Sequence, residues 1–243
     1  MASQPPTQLA NSDAMADGAL ILLCRHGQTA ANLSGVLQGQ QDHPLNATGR
    51  QQAAELAAAL RRRREMDKLS ASPSGAWAVH SSDLSRASAT AATAAAALGD
   101  LPVSTHERLR ERKLGPFEGH DEQHNSTQNA LAWGRFRRGM SVAGVESCDD
   151  VYARASAALV EIAAAHDGKT VVVVTHGGVI VTLAERLTVV GQHVPPIRNC
   201  SITALRAPRG GAGGFLAWRV ESIGDASHLS DGAAAGVANA DVR

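Results

Sequence analysis

The sequence has few cysteines, few aromatic residues and no excess charge of either sign. Of its 243 residues 3% are aromatic, and Lys plus Arg and Asp plus Glu each total 23. The three cysteines, Cys24, Cys148 and Cys200, lie far apart without a C-x-x-C pair. This argues against a disulfide-rich secreted fold and favours reduced thiols. A net charge of zero argues against an overall attraction to nucleic acid or to an anionic membrane, so any anion binding must be local.

Long apolar runs and an early basic region are also missing. No run reaches the length of a membrane span. The first basic residue is Arg25, so the head lacks the basic region of a signal peptide and the arginines of a mitochondrial presequence. These features predict a cytoplasmic protein. Residues 1–17 and 224–243 are polar or small and lack periodicity, which predicts disordered ends around a folded region at 18–223.

Strand-length apolar runs alternate with helical patterns along the folded region. The predicted strands are 19–24, 77–80, 102–105, 170–175, 201–206 and 215–223, and the last two are predicted to form a hairpin. The predicted helices are 48–66, 84–98, 150–162 and 179–190. This alternation predicts an α/β protein, a three-layer α/β/α sandwich around a mostly parallel, doubly wound sheet. The turn-rich stretch 106–150, called the cap segment below, is predicted to be a small insertion over that sheet.

Three of the predicted strands end at residues suited to holding a tetrahedral dianion. Arg25 and His26 follow the first strand, Ser82 and Arg86 follow the second, and His176 follows the run of valines at 171–174. The carboxyl ends of neighbouring parallel strands lie at one edge of a sheet, where ligands of such folds bind. The sequence therefore predicts a phosphate site assembled from distant residues at this edge.

The same residues stand in five segments that resemble the histidine phosphatase superfamily, also called the phosphoglycerate mutase-like family. The segments are C-R-H-G-Q-T-x-x-N (24–32), Q-G-x-x-D-x-P-L-N-x-x-G-R-x-Q-A (38–53), S-S-D-L-x-R-A (81–87), L-R-E-x-x-x-G-x-F-E-G (109–119) and V-T-H-G-G (174–178). N-C-S-I-T at 199–203 also resembles a late strand of the family. The resemblance covers nearly the whole folded region in order, and it implies the phosphoglycerate mutase-like fold.

The chemistry of these residues predicts covalent catalysis. A neutral His26 offers a nitrogen nucleophile to phosphorus, and a phosphohistidine divides ester hydrolysis into two easier displacements. Arg25 and Arg86 disfavour the imidazolium form and can bind phosphoryl oxygens. His176 can donate a further hydrogen bond, and Gly177 begins a helix whose N–H groups favour an anion.

The leaving alkoxide needs a proton, and the resemblance to the phosphatase branch implies that Glu111 supplies it and later activates water. Glu118 is a second candidate for this role. Asn32 and Gln38 resemble residues that contact the phosphoryl group or the substrate in the family, and Gly39 is placed with them as a phosphate-binding residue.

The cap segment decides between branches of the family. Phosphoglycerate mutases resemble this chain in the core, but their insertion after the Glu is longer and more basic. Here the segment 112–150 is short and not rich in lysine, which favours water as the phosphoryl acceptor. We therefore predict a phosphomonoester hydrolase of a small phosphorylated metabolite, independent of metals and other cofactors. The alternatives are a cofactor-dependent phosphoglycerate mutase, a sugar bisphosphatase, and a non-catalytic phosphate-binding scaffold.

Other features leave this prediction unchanged. Val36 stands where phosphatase relatives often carry a basic residue, which puts in doubt a substrate with a second anionic group at that contact. Four arginines at 61–64 could bind RNA, but at a helix end they are predicted to be a solvated face. His120 and His124 lie one helical turn apart outside any zinc motif, and we predict no metal. The predicted partner is a small molecule only, bound by a monomer or homodimer.

Overall fold

The computed structural model describes residues 17–69, 76–188, 194–211 and 213–230, and six strands of these residues form one sheet. The strands are β1 (Asp17–Arg25), β2 (Trp77–Ser81), β3 (Val103–Thr105), β4 (Thr170–Thr175), β5 (Ile202–Pro208) and β6 (Arg219–Asp225). Their order across the sheet is β3-β2-β4-β1-β5-β6. The pairs β1 with β4, β2 with β4 and β2 with β3 are parallel, whereas β5 runs antiparallel to β1 and to β6. The mostly parallel sheet and the final hairpin are therefore confirmed. The last strand begins at Arg219 and not at 215 as predicted, because residues Phe215–Ala217 form a 3-10 turn.

Seven α-helices occur in the described ranges. They are α1 (Ala30–Leu33), α2 (Ala47–Leu69), α3 (Ser85–Ala97), α4 (Glu122–Gln128), α5 (Ala130–Arg137), α6 (Cys148–Ala165) and α7 (Gly177–Leu187). Helices α2 and α3 pack on one face of the sheet, and α6 and α7 on the other. Successive residues of a strand point to opposite faces, so Leu22 of β1 joins the first face and Leu23 the second. The three-layer sandwich is confirmed.

Burial on both faces explains why the central strands were easy to recognise. All six residues of β4 are buried, and the eight residues of β1 that follow Asp17 are buried as well. A strand covered by helices on both sides has no solvent face, so its sequence is continuously apolar rather than alternating. The edge strand β3 is short and partly exposed.

The cap segment carries two helices and an apolar cluster of its own. The cluster consists of Leu37, Leu114, Phe117, Trp133 and Phe136. Helix α5 contributes two of these aromatic side chains, Trp133 and Phe136. Helix α4 was not predicted, because its sequence E-Q-H-N-S-T-Q is polar throughout and buries one residue, Asn125.

The predicted disordered ends need correction where the structure describes them. Asp17, assigned to the disordered lead 1–17, is the first residue of β1. In the predicted tail 224–243, β6 continues to Asp225, and Leu229 packs into the core with only 9% of its surface exposed. Ala226 packs against the same core cluster and Ser230 bonds to Glu55, so isolated contacts hold this polar stretch, and such contacts leave no periodicity in the sequence. Residues 1–16 and 231–243 lie outside the described residues.

The arginine run at 61–64 makes a contact that its sequence pattern did not indicate. Arg64 donates to the carbonyl of Leu98 and ties α2 to the end of α3, so the run at 61–64 is not purely a solvated face.

The rings of His120 and His124 stack with centroids 3.9 Å apart. Among the described residues, no group of three or more metal-ligating side chains is suited to hold an ion. Nor does any helix described here have the length and apolar character to cross a membrane.

Candidate active site

The ends of three neighbouring parallel strands bring the predicted residues together. In the sheet register Arg25, the last residue of β1, lies opposite Thr175, the last residue of β4. His26 and His176 directly follow these two strands, and their ring centroids are 5.1 Å apart. Two histidines separated by 150 positions thus meet at one edge of the sheet.

His26 is fixed by hydrogen bonds from its neighbours. Its Nδ1 lies 2.7 Å from the carbonyl oxygen of Gly27. A carbonyl oxygen only accepts, so Nδ1 carries the ring proton and Nε2 keeps its lone pair. The main chain is held as well, because the His26 N–H donates to Thr175 and its carbonyl accepts from Asn199 Nδ2 at 2.9 Å. The geometry therefore presents Nε2 as the nucleophilic atom.

Both imidazoles are kept neutral. Burial, followed by the positive charges of Arg86 and Arg25, holds the pKa of His26 well below its usual value. For His176 burial again acts first, and Arg86 contributes the largest neighbouring charge to the lowered pKa. A neutral ring is the state that a nitrogen nucleophile needs.

The two arginines are buried and oriented by carbonyl oxygens. Arg25 Nη1 donates to Ile197 at 2.8 Å. Arg86, in the first turn of α3, donates from Nη1 to Gln41 at 2.7 Å and from Nη2 to Gly39 at 2.8 Å. Each arginine is only 1% exposed. Two oriented guanidinium groups beside two neutral imidazoles form a strongly electropositive site for a phosphoryl group.

Ser82 orients His176, a role that the sequence did not reveal. His176 Nε2 lies 2.9 Å from Ser82 Oγ, which also accepts from the N–H of Leu84 at 3.3 Å. The Ser82 hydroxyl can donate its own proton to Nε2, and in that tautomer the His176 proton is on Nδ1. This Nδ1 is buried without a hydrogen-bond partner in the described part of the chain. An incoming phosphoryl oxygen would satisfy it.

The start of α7 brings Glu111 to the same edge. The helix begins at Gly177, two residues before the predicted start at 179, and residues 189 and 190 of that prediction lie outside the described residues. The N–H of Gly178 donates to Glu111 Oε2 at 3.0 Å. A Cβ atom on Gly178 would lie 2.5 Å from Glu111 Oε1. Glycine at this position is thus what allows the carboxyl group to approach.

Glu111 and Glu118 have different surroundings. Glu111 is 2% exposed, and its Oε1 accepts from the N–H of Arg112 at 2.8 Å. Glu118 Oε1 instead accepts from the main chains of Leu114 at 2.7 Å and Gln40 at 3.2 Å. The Glu118 carboxylate therefore joins the cap segment to the loop after β1, while Glu111 lies at the helix N-terminus that follows His176.

The remaining predicted residues lie in the loop after β1. Asn32 Oδ1 accepts from the N–H of Thr29 at 3.1 Å and from Asn199 Nδ2 at 3.4 Å, within the unpredicted helix α1 and its cap. Gln38 Oε1 accepts from Thr29 Oγ1 at 2.8 Å. In both amides the oxygen is bound by protein, so the amino group is the end that can serve an anion. Gly39 has a φ of +49° and acts through its carbonyl, which holds Arg86.

Known proteins resemble the chain over most of its length. A family model described as histidine phosphatase superfamily (branch 1) matches residues 21–219. Phosphoglycerate mutase-like protein 4 of Arabidopsis thaliana is 37% identical over 219 residues, covering 88% of this chain and 89% of that protein. Metal-independent phosphoserine phosphatase of the same plant is 32% identical over 216 residues, covering 86% and 83%. The solved structure of a mycobacterial glucosyl-3-phosphoglycerate phosphatase has 29% identity and a TM-score of 0.67, covering 85% of this chain and 99% of that one.

Proposed function

The chain belongs to the histidine phosphatase superfamily, and on that premise we propose that it hydrolyses phosphomonoesters of small metabolites through a phosphohistidine on His26. Its relatives include phosphatases, which supports hydrolysis as the reaction class. The observation that carries the proposal is a buried, neutral His26 with its Nδ1 bonded to Gly27, beside Arg25 and Arg86. A nucleophile and a positively charged phosphoryl site occur there together.

In the first step His26 Nε2 attacks phosphorus, and the bond between phosphorus and the ester oxygen breaks. Glu111 gives its proton to the departing alkoxide. Arg25, Arg86 and the Nδ1–H of His176 stabilise the oxygens of the transferring group. The products of this step are the alcohol and a phosphohistidine. Positioned proton transfer typically contributes about 10²–10⁴-fold to rate.

In the second step a water molecule attacks phosphorus from the side opposite His26. The Glu111 carboxylate, left without its proton by the first step, takes one from the water. The bond between phosphorus and Nε2 breaks, and His26 leaves as the neutral ring that its surroundings favour. Inorganic phosphate departs and both groups return to their initial states.

The cap segment and the relatives bear on whether water or another hydroxyl group accepts the phosphoryl group. Between Glu111 and α6 the described chain contains only a 3-10 turn at Gly115–Phe117 and the short helices α4 and α5. A mutase must keep water out during phosphoryl transfer, and these elements form a small cover for that purpose. This supports water as the acceptor. Phosphoglycerate mutase activity is the second candidate, because the first of the relatives above is named mutase-like. Analysis of products from phosphoglycerate distinguishes the two, since a mutase moves phosphate between hydroxyls and releases little of it.

Independence of metals is part of the proposal. It is supported by the name of one relative and by the two guanidinium groups, which supply the positive charge that a metal provides elsewhere. We propose likewise a small-molecule substrate, no nucleic-acid or membrane partner, a monomer or homodimer, and a cytoplasmic location, all on the sequence arguments above.

The test measures phosphate release from p-nitrophenyl phosphate in the presence of a metal chelator, with quenched samples assayed for an acid-labile, base-stable phosphoryl label on the protein. We expect turnover and a label that disappears in His26→Ala. Phosphate binding without turnover or label would contradict the hydrolase and indicate the scaffold. Turnover abolished by the chelator would contradict independence of metals.

A further inference from the structure

Arg154 of α6 uses its whole guanidinium group on one short stretch of main chain and one carboxylate. Nε and Nη2 donate to the two carboxylate oxygens of Glu146 at 2.6 and 2.9 Å. Nη1 donates to the carbonyls of Arg108 at 2.8 Å and Arg110 at 2.6 Å. Nη2 donates to the carbonyl of Glu111 at 3.1 Å. These five bonds occupy all five N–H donors of the side chain.

The stretch that Arg154 holds has no regular structure of its own. A short 3-10 turn ends at Leu109, and residues 110–114 belong to neither helix nor strand. Carbonyl groups in such a segment lack the partners that a helix or sheet provides, and leaving them unpaired inside the protein is unfavourable. Arg154 supplies those partners, and Gln40 Nε2 adds a second bond to the Glu111 carbonyl at 3.1 Å.

Glu146 binds the main chain on the C-terminal side of Glu111. Its Oε2 accepts from the N–H of Lys113 at 3.1 Å, and its own N–H donates to the Lys113 carbonyl at 2.9 Å. The Glu146 carbonyl accepts from Arg112 Nε at 2.7 Å. The side chains of Arg154 and Glu146 are 18% and 17% exposed, so water screens this ion pair less than one at the surface. Residues before and after Glu111 are thus fixed by a single ion pair.

We propose that Arg154 and Glu146 form a positioning pair that sets where the Glu111 carboxyl group delivers its proton. Arg154 has no N–H left for a substrate, which argues against direct binding of phosphate. Its contacts reach Glu111 through the main chain, two bonds from the atom that carries the side chain. The inference rests on the proposed function of Glu111 as the proton donor, and a displacement of about 1 Å at such a group can cost about 10²-fold in rate.

The leaving group separates this role from general support of the fold. p-Nitrophenolate is stable enough to leave without a proton, whereas the alkoxide of an alkyl phosphate such as 2-glycerol phosphate needs one. The ratio kcat/KM reports the steps up to formation of the phosphohistidine, where Glu111 acts as the acid. Loss of its positioning must therefore affect the alkyl ester more than the aryl ester.

The experiment compares Arg154→Lys with the wild-type protein on both esters. A lysine keeps the charge but cannot bond to three carbonyls and a carboxylate at once. We expect kcat/KM to fall about 10–100-fold for 2-glycerol phosphate and less than about threefold for p-nitrophenyl phosphate. In a Glu111→Gln background Arg154→Lys should cause no further change in the ratio of the two values, because Arg154 acts through Glu111.

Arg206→Lys is the matched control. Arg206 and Glu221 form a similar, partly buried ion pair at 2.9 Å between β5 and β6, where no predicted site residue lies. This variant should leave the ratio of the two kcat/KM values unchanged. Glu146→Gln provides a second route if Arg154→Lys folds poorly, since it keeps the shape of the side chain and removes only its charge. It should shift the ratio in the same direction.

The outcomes distinguish the inference from the function on which it rests. Equal losses on the two esters would mean that the pair only supports the fold, and no loss on either would mean that Glu111 needs no such support. Either result overturns the inference while the hydrolase stands. A wild-type protein that hydrolyses neither ester overturns the proposed function itself, and the inference with it.

Discussion

Besides the stacked pair of His120 and His124, the described residues contain two sets of close histidines, and these two sets differ in what surrounds them. In the first set His26 and His176 have ring centroids 5.1 Å apart. In the second, His80 lies 5.1 Å from His106 and 5.0 Å from His166. Burial is the main cause of a lowered pKa in both sets. Spacing and protonation are thus similar, and neither identifies the active site.

The bonds of the rings make the difference. His80 Nδ1 lies 2.9 Å from His106 Nε2, and His80 Nε2 lies 2.9 Å from His166 Nε2. Both nitrogens of His80 are therefore used by other imidazoles, and none remains for a substrate. His26 bonds through Nδ1 to the carbonyl oxygen of Gly27 and keeps the lone pair of Nε2, with two guanidinium groups nearby. An imidazole can act as a nucleophile towards phosphorus when one ring nitrogen is unprotonated and faces a positively charged site.

The same substitution in each set tests this difference most strongly. We expect His26→Gln to lower kcat/KM by at least about 10⁴-fold, because the variant lacks the ring nitrogen that takes the phosphoryl group. His80→Gln should change it by less than about threefold. Turnover of p-nitrophenyl phosphate by variants of matched folded fraction measures both. Comparable losses in the two variants would remove the basis for assigning catalysis to the first set.

Arg86 tests whether the neighbouring charges matter as the structure indicates. Arg86→Gln should lower kcat/KM by about 10²–10³-fold, since one oriented donor group for the transition state is lost. The variant should also raise the pKa of His26, because Arg86 lowers that pKa more than Arg25 does. The pKa should stay below 6.5, since burial is the main cause of its lowering and remains in the variant. NMR titration of the imidazole resonances measures this shift. The resonances of His80 and His106 serve as internal controls, and a His26 pKa that does not move would contradict the electrostatic account.

The second set predicts a loss of stability in acid. The pKa of His80 is lowered from 6.5 to about 4 by burial and by the charges of His166 and His106. The unfolded chain therefore binds a proton more readily than the folded one, so stability falls as the pH drops from 6.5 towards 4. Arg108 adds to this effect at His106 and Lys169 at His166, whereas Glu161 opposes it.

Urea unfolding at pH 7 and pH 5 measures that loss. His80 alone should contribute about 2 kcal/mol of destabilisation over this interval. His80→Gln should lower the difference between the two pH values by about that amount. His26→Gln provides the comparison, because a ring whose pKa is also lowered should give a pH dependence of the same sign. If His80→Gln leaves the pH dependence of unfolding unchanged, then the fold does not lower the pKa of His80.

The sequence revealed the site where chemistry coincides with strand ends, and it failed where contacts span long distances. Arg25, His26 and His176 follow apolar runs that can only be buried strands, so their meeting could be predicted. Asn199 lies 173 positions from His26, and Arg154 lies 43 positions from Glu111. Neither contact leaves a periodic signal, because a single side chain reaching across the fold needs no pattern around it.

The same reasoning applies to the elements. The strands β1 and β4 were recognised because helices cover both faces, which makes every position apolar. Helix α4 was missed because its polar sequence buries little, whereas α7 begins at Gly177, before the apolar pattern that starts at 179. Gly178 is present for the approach of Glu111 rather than for helix formation. Local propensity is least informative where a close contact selects the residue.

Ser82 offers the test with the smallest expected effect. Its hydroxyl forms a hydrogen bond with a ring nitrogen of His176, as a neighbouring imidazole does with His80. Ser82→Ala removes the partner of Nε2 at 2.9 Å without adding volume. The free-energy cost of one such bond is about 1 kcal/mol, so kcat/KM should fall about fivefold. The adjacent Ser81→Ala is the matched control, since that hydroxyl donates to the Ser82 carbonyl at 2.8 Å and lies in the same buried strand end. Equal effects of the two variants on kcat/KM would show that the ring of His176 is held by packing, whereas a loss confined to Ser82→Ala would assign its orientation to the hydroxyl.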